Sequence, residues 1–206
     1  MLLWSGIALL LGGLLSFTVD RRLVHFFHAI VDRRVEIAVW RTTDWAKGAH
    51  WLGLSVLAFA IAWAGMRLFG PNDILRDMRL SSLAFLISLA SGSIILHTLK
   101  TLLGRRRPRD ELELGLYGFW PFHLDFKSDS FPSGHALTIF CAAVILSSTI
   151  PALTPIWFAI ALYLAMTRAL LNAHFLSDVF IGSGIGLLTA RQIIIWLFPS
   201  LTQPWF

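Results

Sequence analysis

Six stretches of nearly unbroken apolar residues, each bounded by charged or turn-forming residues, punctuate this 206-residue chain. A helix needs about 20 apolar residues to cross the hydrocarbon of a bilayer. The pattern therefore predicts spans at 2–18, 49–69, 80–99, 134–150, 155–171 and 178–197. Residues 20–47 follow a different rule: Val24, Phe27, Ile30, Val31, Val35 and Val39 interleave with Arg33, Arg34, Glu36 and Arg41. That alternation is too polar to cross a membrane. It predicts an amphipathic helix lying at the interface, with Trp40, Trp45 and Trp51 at headgroup level. The expected fold is all-α: a polytopic membrane helical bundle of about six transmembrane helices with an interfacial amphipathic helix, in one domain over 1–206. The first apolar run has no basic segment before it and no small-x-small cleavage site. It is expected to be a retained span and not a signal peptide.

Composition agrees with this reading. Hydrophobic residues make up 56% of the chain and charged ones 14%, against about 25% charged in a soluble domain. The net charge of +5 matters less than its placement, because the basic residues flank apolar segments. A nucleic-acid partner is not expected, since it would call for a basic soluble face. The bilayer and a lipid are. Cys141, the single cysteine, lies inside an apolar run, where it has no intrachain disulfide partner and supports no cysteine-based metal site.

Counting crossings brings in chemistry. Three clusters carry polar side chains at span ends: Lys100, Arg107 and Pro108 (K-x6-R-P), then Pro132-Ser133-Gly134-His135, then Thr167, Arg168, His174 and Asp178 (T-R-x5-H-x3-D). The first follows the third span, the second opens the fourth, and the third joins the fifth to the sixth. With spans in simple succession, all three emerge on one face of the membrane.

A phosphoryl group in flight spreads negative charge over its equatorial oxygens, so catalysis is mostly positioning and charge stabilisation. Lys100, Arg107 and Arg168 supply cations, and the arginines offer planar forks matched to phosphate. Ser133 stands at a helix start, and Gly134 lets a ligand approach the free amides of the first turn. His174 and Asp178, spaced i,i+4, are expected on one helical face within hydrogen-bond reach. A carboxylate on one imidazole nitrogen would leave the other as an in-line nucleophile. Each piece has a plainer role taken singly. Lys and Arg at span ends snorkel, Pro-Ser-Gly is an ordinary capping turn, and a His-x3-Asp pair is commonly structural. Arg105, Arg106 and Arg109 are assigned to snorkelling or peripheral headgroup contact. The seven histidines form no close ligand cluster, and three cations beside the site disfavour a metal.

In this order, the three clusters resemble the signature of the type 2 phosphatidic acid phosphatase superfamily, whose third element is S-R-x5-H-x3-D. The one departure is Thr167, which retains the hydroxyl. The six-span layout is similar to that of the family's integral-membrane lipid phosphatases. The resemblance implies that His174 attacks phosphorus and forms a phosphohistidine, that Asp178 orients it, and that His135 protonates the leaving oxygen. It further implies that Lys100, Arg107, Ser133, the Gly134 amide and Arg168 hold the phosphate oxygens, with no cofactor and no metal.

The implied activity is a lipid phosphate monoesterase or diphosphatase. A lipid-to-lipid phosphotransferase, a vanadate-dependent haloperoxidase and a non-catalytic anionic-lipid binder or transporter are the alternatives. The spans count against the haloperoxidase, whose known forms are soluble. Gly-Arg-Arg-Arg-Pro and Gly-Leu-Tyr-Gly-Phe loosely resemble pieces of bacterial lipid A phosphatases. Lipid A phosphate therefore ranks first as substrate, ahead of undecaprenyl diphosphate, phosphatidylglycerophosphate and phosphatidate. Tyr117, Phe119, Trp120, Phe122 and Phe126 are expected to cover the site at the bilayer edge. All but four of the 17 Lys and Arg (Arg67, Arg76, Arg79 and Arg191) fall on the motif face. Positive-inside bias would turn that face to the cytoplasm. Phosphate binding explains several of these cations, and bacterial membrane relatives carry the site in the periplasm, which is the orientation expected here.

Overall fold

The computed structural model describes residues 1–122 and 129–206. Its long elements are helical: α1 (Leu2–Ser16), α2 (Asp20–Ile30), α3 (Arg33–Thr43), α4 (Gly48–Phe69), α5 (Asp73–Leu103), the short α6 (Pro108–Leu114), α7 (Gly134–Thr149), α8 (Thr154–Leu170) and α9 (Leu176–Leu197). The all-α expectation holds.

By length and apolarity alone, fewer than six described segments qualify as spans. Among the described residues, four helical segments are long and apolar enough to cross a bilayer: Gly48–Phe69, Asp73–Leu103, Pro151–Leu170 and Leu176–Leu197. A fifth is reached only if α1 and α2, bent by 86°, count as one broken span. At about 1.5 Å per residue, the 15 residues of α1 and the 16 of α7 fall short of hydrocarbon thickness. α7 nevertheless sits at the centre, with almost its whole length buried. It packs on α4, α5, α8 and α9, while α9 lies between α7 and α1. α4 is the opposite case. Only Ala62 is buried along it, and Leu52, Leu54, Leu57, Ile61 and Trp63 face outward. A helix apolar all round and unburied by protein belongs in lipid.

The α7–α9 contact is close because glycines face it. A Cβ at Gly182 would fall on the Ser133 backbone, and one at Gly186 on the Leu137 backbone. Small residues at such positions let two helix backbones approach within van der Waals contact, a membrane packing device. Here it presses the start of α7 against the first turns of α9.

The amphipathic segment is two helices and not one. Asp32 breaks it by capping α3, its carboxylate accepting from the Arg34 and Val35 amides at 2.8 Å each. A side-chain cap satisfies helix-start amides and so favours a new start over continuation. A 3-10 turn over Asp44–Ala46 then leads into α4. Asp20, opening α2, is completely buried, which a surface helix would not require.

Candidate active site

The C-terminal ends of α5 and α8 and the N-terminal ends of α7 and α9 meet at one end of the bundle. This is what alternating crossings demand, and it brings the three sequence clusters together.

Gly104, left-handed at φ 54°, ends α5, and the chain leaves in extended form, bridging Arg105 to Phe119. Lys100 and Arg107 then converge on a single acceptor, the Asp129 carbonyl, at 2.7 and 3.3 Å. Arg107 lies within electrostatic range of both Lys100 and Arg168. Burial and the neighbouring Arg109 push its guanidinium below the ordinary arginine value. Cations crowded this way favour the arrival of an anion.

Ser133 occupies the cap position of α7, but its side chain does not cap. Its amide donates to the Asp178 carbonyl at 3.0 Å, and its buried hydroxyl has no partner among the described residues. The first-turn amides of any helix lack intrahelical acceptors, so this hydroxyl and the helix start together form an anion cradle. His135 stands on that first turn, within electrostatic range of Arg168 and His174. Arg168 donates to Thr43 Oγ1 at 3.2 Å and lies 5.6 Å from the Trp40 ring.

Thr167 does not point into this cluster. Its hydroxyl proton is directed at the Leu164 carbonyl (2.6 Å) and at Thr43 Oγ1 (2.8 Å). The departure from serine thus falls in the packing behind Arg168.

His174 and Asp178 are close, but not in the manner expected. His174 lies in the loop before α9, so the two do not share a helical face. Its Nδ1 is 3.8 Å from Asp178 Oδ2, longer than a hydrogen bond. Nδ1 instead lies 2.7 Å from the Ser130 carbonyl. A carbonyl only accepts, so Nδ1 carries the proton and Nε2 keeps its lone pair. Asp178 acts one step back, accepting from the Ser130 hydroxyl and from the Phe175 amide (2.9 Å). Burial, opposed by Asp178, pushes the His174 imidazole down to about 4, so the ring is neutral at physiological pH. A neutral ring with a bare Nε2, beside cations and an anion cradle, is equipped to attack phosphorus.

The largest miss of the sequence reading is Arg105, assigned there to the periphery. It is wholly buried, and its Nη1 donates to Asp178 Oδ1 at 2.5 Å. Asp20 and Ser130, which also support the site, were not singled out either. The available signal was the two-residue period of an extended strand. Arg105 and Arg107 share a side and turn inward, while Arg106 turns out to the Trp120 ring at 5.1 Å. Arg109 stays peripheral as expected, its side chain 61% exposed. The aromatic cover also needs revision. Tyr117 and Phe119 turn their rings to Arg105, Trp120 and Phe122 are exposed, and Phe126 lies outside the described residues. Among the described residues, no three His, Cys, Asp or Glu side chains converge as metal ligands.

Two curated relatives match part of the chain. A lipid A 1-phosphatase of Rhizobium etli is 29% identical over 148 residues, 70% of this chain and 63% of that protein. One of Rhizobium johnstonii is also 29% identical over 148 residues, 60% of its length. The chain thus spans less than two thirds of the relatives it matches. Among solved structures, that of a transmembrane PAP2-type phosphatidylglycerolphosphate phosphatase from Bacillus subtilis shares the fold, with a TM-score of 0.61, 98% of each chain covered and 18% identity. The sequence model of the PAP2 superfamily matches residues 81–201, a stretch that contains all three clusters and the helix ends that gather them, and by that match the chain belongs to the PAP2 superfamily.

Proposed function

We propose that this protein is a metal-independent membrane lipid phosphatase, acting as one domain, with the site on the periplasmic face of a bacterial inner membrane. His174 Nε2 attacks phosphorus, forming a P–N bond as the P–O bond to the lipid breaks. His135 gives its proton to the departing oxygen. Water then attacks the phosphohistidine, the P–N bond breaks, and His135 takes the proton released. Lys100, Arg107, Arg168, the Ser133 hydroxyl and the Gly134 amide hold the phosphate oxygens throughout, where preformed charge and dipoles stabilise the transition state.

The observation that carries this reading is the tie from His174 Nδ1 to the Ser130 carbonyl, which leaves Nε2 as the unprotonated nitrogen of a buried ring. Lipid A phosphate is the first-ranked substrate, supported by the names of the two Rhizobium relatives. Undecaprenyl diphosphate, phosphatidylglycerophosphate and phosphatidate follow.

Phosphate release from these four lipids by detergent-purified protein, with and without excess chelator, is the direct test. The expected result is release from lipid A that survives chelation and falls on the order of 10³-fold or more in His174→Ala. Release silenced by chelator, or retained in His174→Ala, would overturn the mechanism. Preference for another lipid would move the substrate and keep the chemistry.

A further inference from the structure

Two buried carboxylates from opposite ends of the chain converge on one guanidinium behind the site. Arg105 Nη1 donates to Asp178 Oδ1 (2.5 Å) and Ser177 Oγ (2.6 Å); Nη2 donates to Asp20 Oδ2 (2.7 Å) and the Tyr117 hydroxyl (2.9 Å). Asp20 also accepts from the Ser177 amide (3.1 Å) and hydroxyl (2.5 Å). The guanidinium carbon lies 4.2 Å from the Phe175 ring centre and 4.5 Å from that of Phe17. Arg105, Asp20 and Asp178 are all 0% exposed. Removing charges this completely from water is costly unless they are paired. Here both terminal nitrogens of Arg105 are paired, while its Nε has no partner among the described residues. Packing alone would be served as well by apolar side chains.

The cluster connects to the nucleophile through a continuous set of contacts. Arg105 grips Asp178 Oδ1, Asp178 Oδ2 holds the Ser130 hydroxyl and the Phe175 amide, and the Ser130 carbonyl holds His174 Nδ1–H. Asp20 stands where the chain bends by 86° between α1 and α2. We propose that Arg105 and Asp20 are positioning residues for phosphoryl transfer: Arg105 holds the Asp178 carboxylate that sets His174, and Asp20 anchors Arg105 to the N-terminal bend. This rests on His174 being the nucleophile.

The test is steady-state kinetics and the pH dependence of kcat/KM for detergent-purified wild type, Arg105→Gln, Asp20→Asn, the double variant and His174→Ala. The charged and titratable groups facing the Asp178–His174 pair are Arg105, Lys100 and Arg107 from the end of α5 and beyond, Arg168 from α8, Asp20 from α2, His135 from α7, and Tyr117. Removing a cation from this set raises the pH at which the pair releases protons, and removing an anion lowers it. Arg105→Gln should therefore lower kcat by about 10²-fold and move the acid limb upward by about one pH unit or more. Asp20→Asn should lower kcat by about tenfold with little change in KM, its acid limb unmoved or shifted downward. A purely structural role would lower the melting temperature while folded protein kept wild-type kcat and limb. That pattern in either single variant would overturn the proposal. If Arg105→Gln does not survive purification, Asp20→Asn and the double variant, which loses one charge of each sign, decide by the same kcat criterion. Activity in His174→Ala would instead sink the nucleophile assignment, so the two failures are distinguishable.

Discussion

His174 and His135 are needed in opposite protonation states, and the structure supplies a physical reason for the first. Burial and Arg168 also push the His135 imidazole down, to about 3, so its proton requires the negative charge of a bound phosphate beside it. His174 is buried and pushed down to about 4, so the neutral form required for attack is present above that pH and is lost as pH falls through it. The acid limb of kcat/KM, corrected for ionisation of the substrate phosphate, is expected near pH 4; a limb near the ordinary imidazole value would mean that water reaches the ring. His135 is separable by leaving group. General acid catalysis is worth about 10²- to 10⁴-fold, so His135→Ala should lose that much on a lipid with an alkoxide-like leaving group. It should lose far less on an activated aryl phosphate, whose departing oxygen needs little protonation. Equal losses on both substrates would assign His135 to holding phosphate.

Among the elements, the contact between α7 and α9 carries the most. Ser133 is positioned because its amide reaches the Asp178 carbonyl at 3.0 Å, and that reach exists because Gly182 carries no side chain. An alanine there would place its Cβ on the Ser133 carbonyl oxygen and 3.2 Å from the carbonyl carbon and nitrogen. The obstacle is backbone, which cannot rotate aside. Gly182→Ala should destabilise by about 1–3 kcal/mol, as overpacking does, and should lose activity beyond the fraction unfolded, since the cradle separates from Asp178. Gly53→Ala on α4, where a Cβ meets nothing within 4 Å, is the matched control and should keep both stability and activity. Melting temperature in detergent and phosphate release measured on the same samples separate these outcomes; equal behaviour of the two alanine variants would contradict the close-packing account.

At the scale of the whole molecule, all three clusters lie at one end of the bundle, so a single label reports the side on which the site opens. Cys141 is buried at 0% exposure and is a silent background for thiol chemistry, whereas the Arg109 side chain is 61% exposed beside the site. With the site in the periplasm, Arg109→Cys should react with a membrane-impermeant maleimide added to spheroplasts, while the unaltered protein does not. Labelling that requires lysis would place the site in the cytoplasm, in line with the bias of Lys and Arg toward that face.

Hydropathy and spacing alone determined the all-α class, the positions of the apolar helices and the gathering of Lys100, Arg107, Ser133, His135, Arg168, His174 and Asp178 at one end. These follow from local physics: apolar length fixes where a chain enters lipid, and parity of crossings fixes which ends meet. Three things were decided only by tertiary structure. The period of an extended strand sets Arg105 and Arg106 on opposite sides, but which side is buried depended on where Asp20 and Asp178 came to stand. Spacing put Asp178 on His174, but the loop before α9 set their ring and carboxylate 3.8 Å apart and gave the hydrogen bond to Ser130, 44 residues away. The pattern predicts 134–150 as a span like the others, but the 16 residues of α7 fall short of hydrocarbon thickness, and its place inside the bundle relieves it of facing lipid on its own. In the first two cases the deciding term is a charge or polar group seeking a partner in a medium without water, and in the third it is apolar packing; both kinds of partner are found in space rather than along the chain.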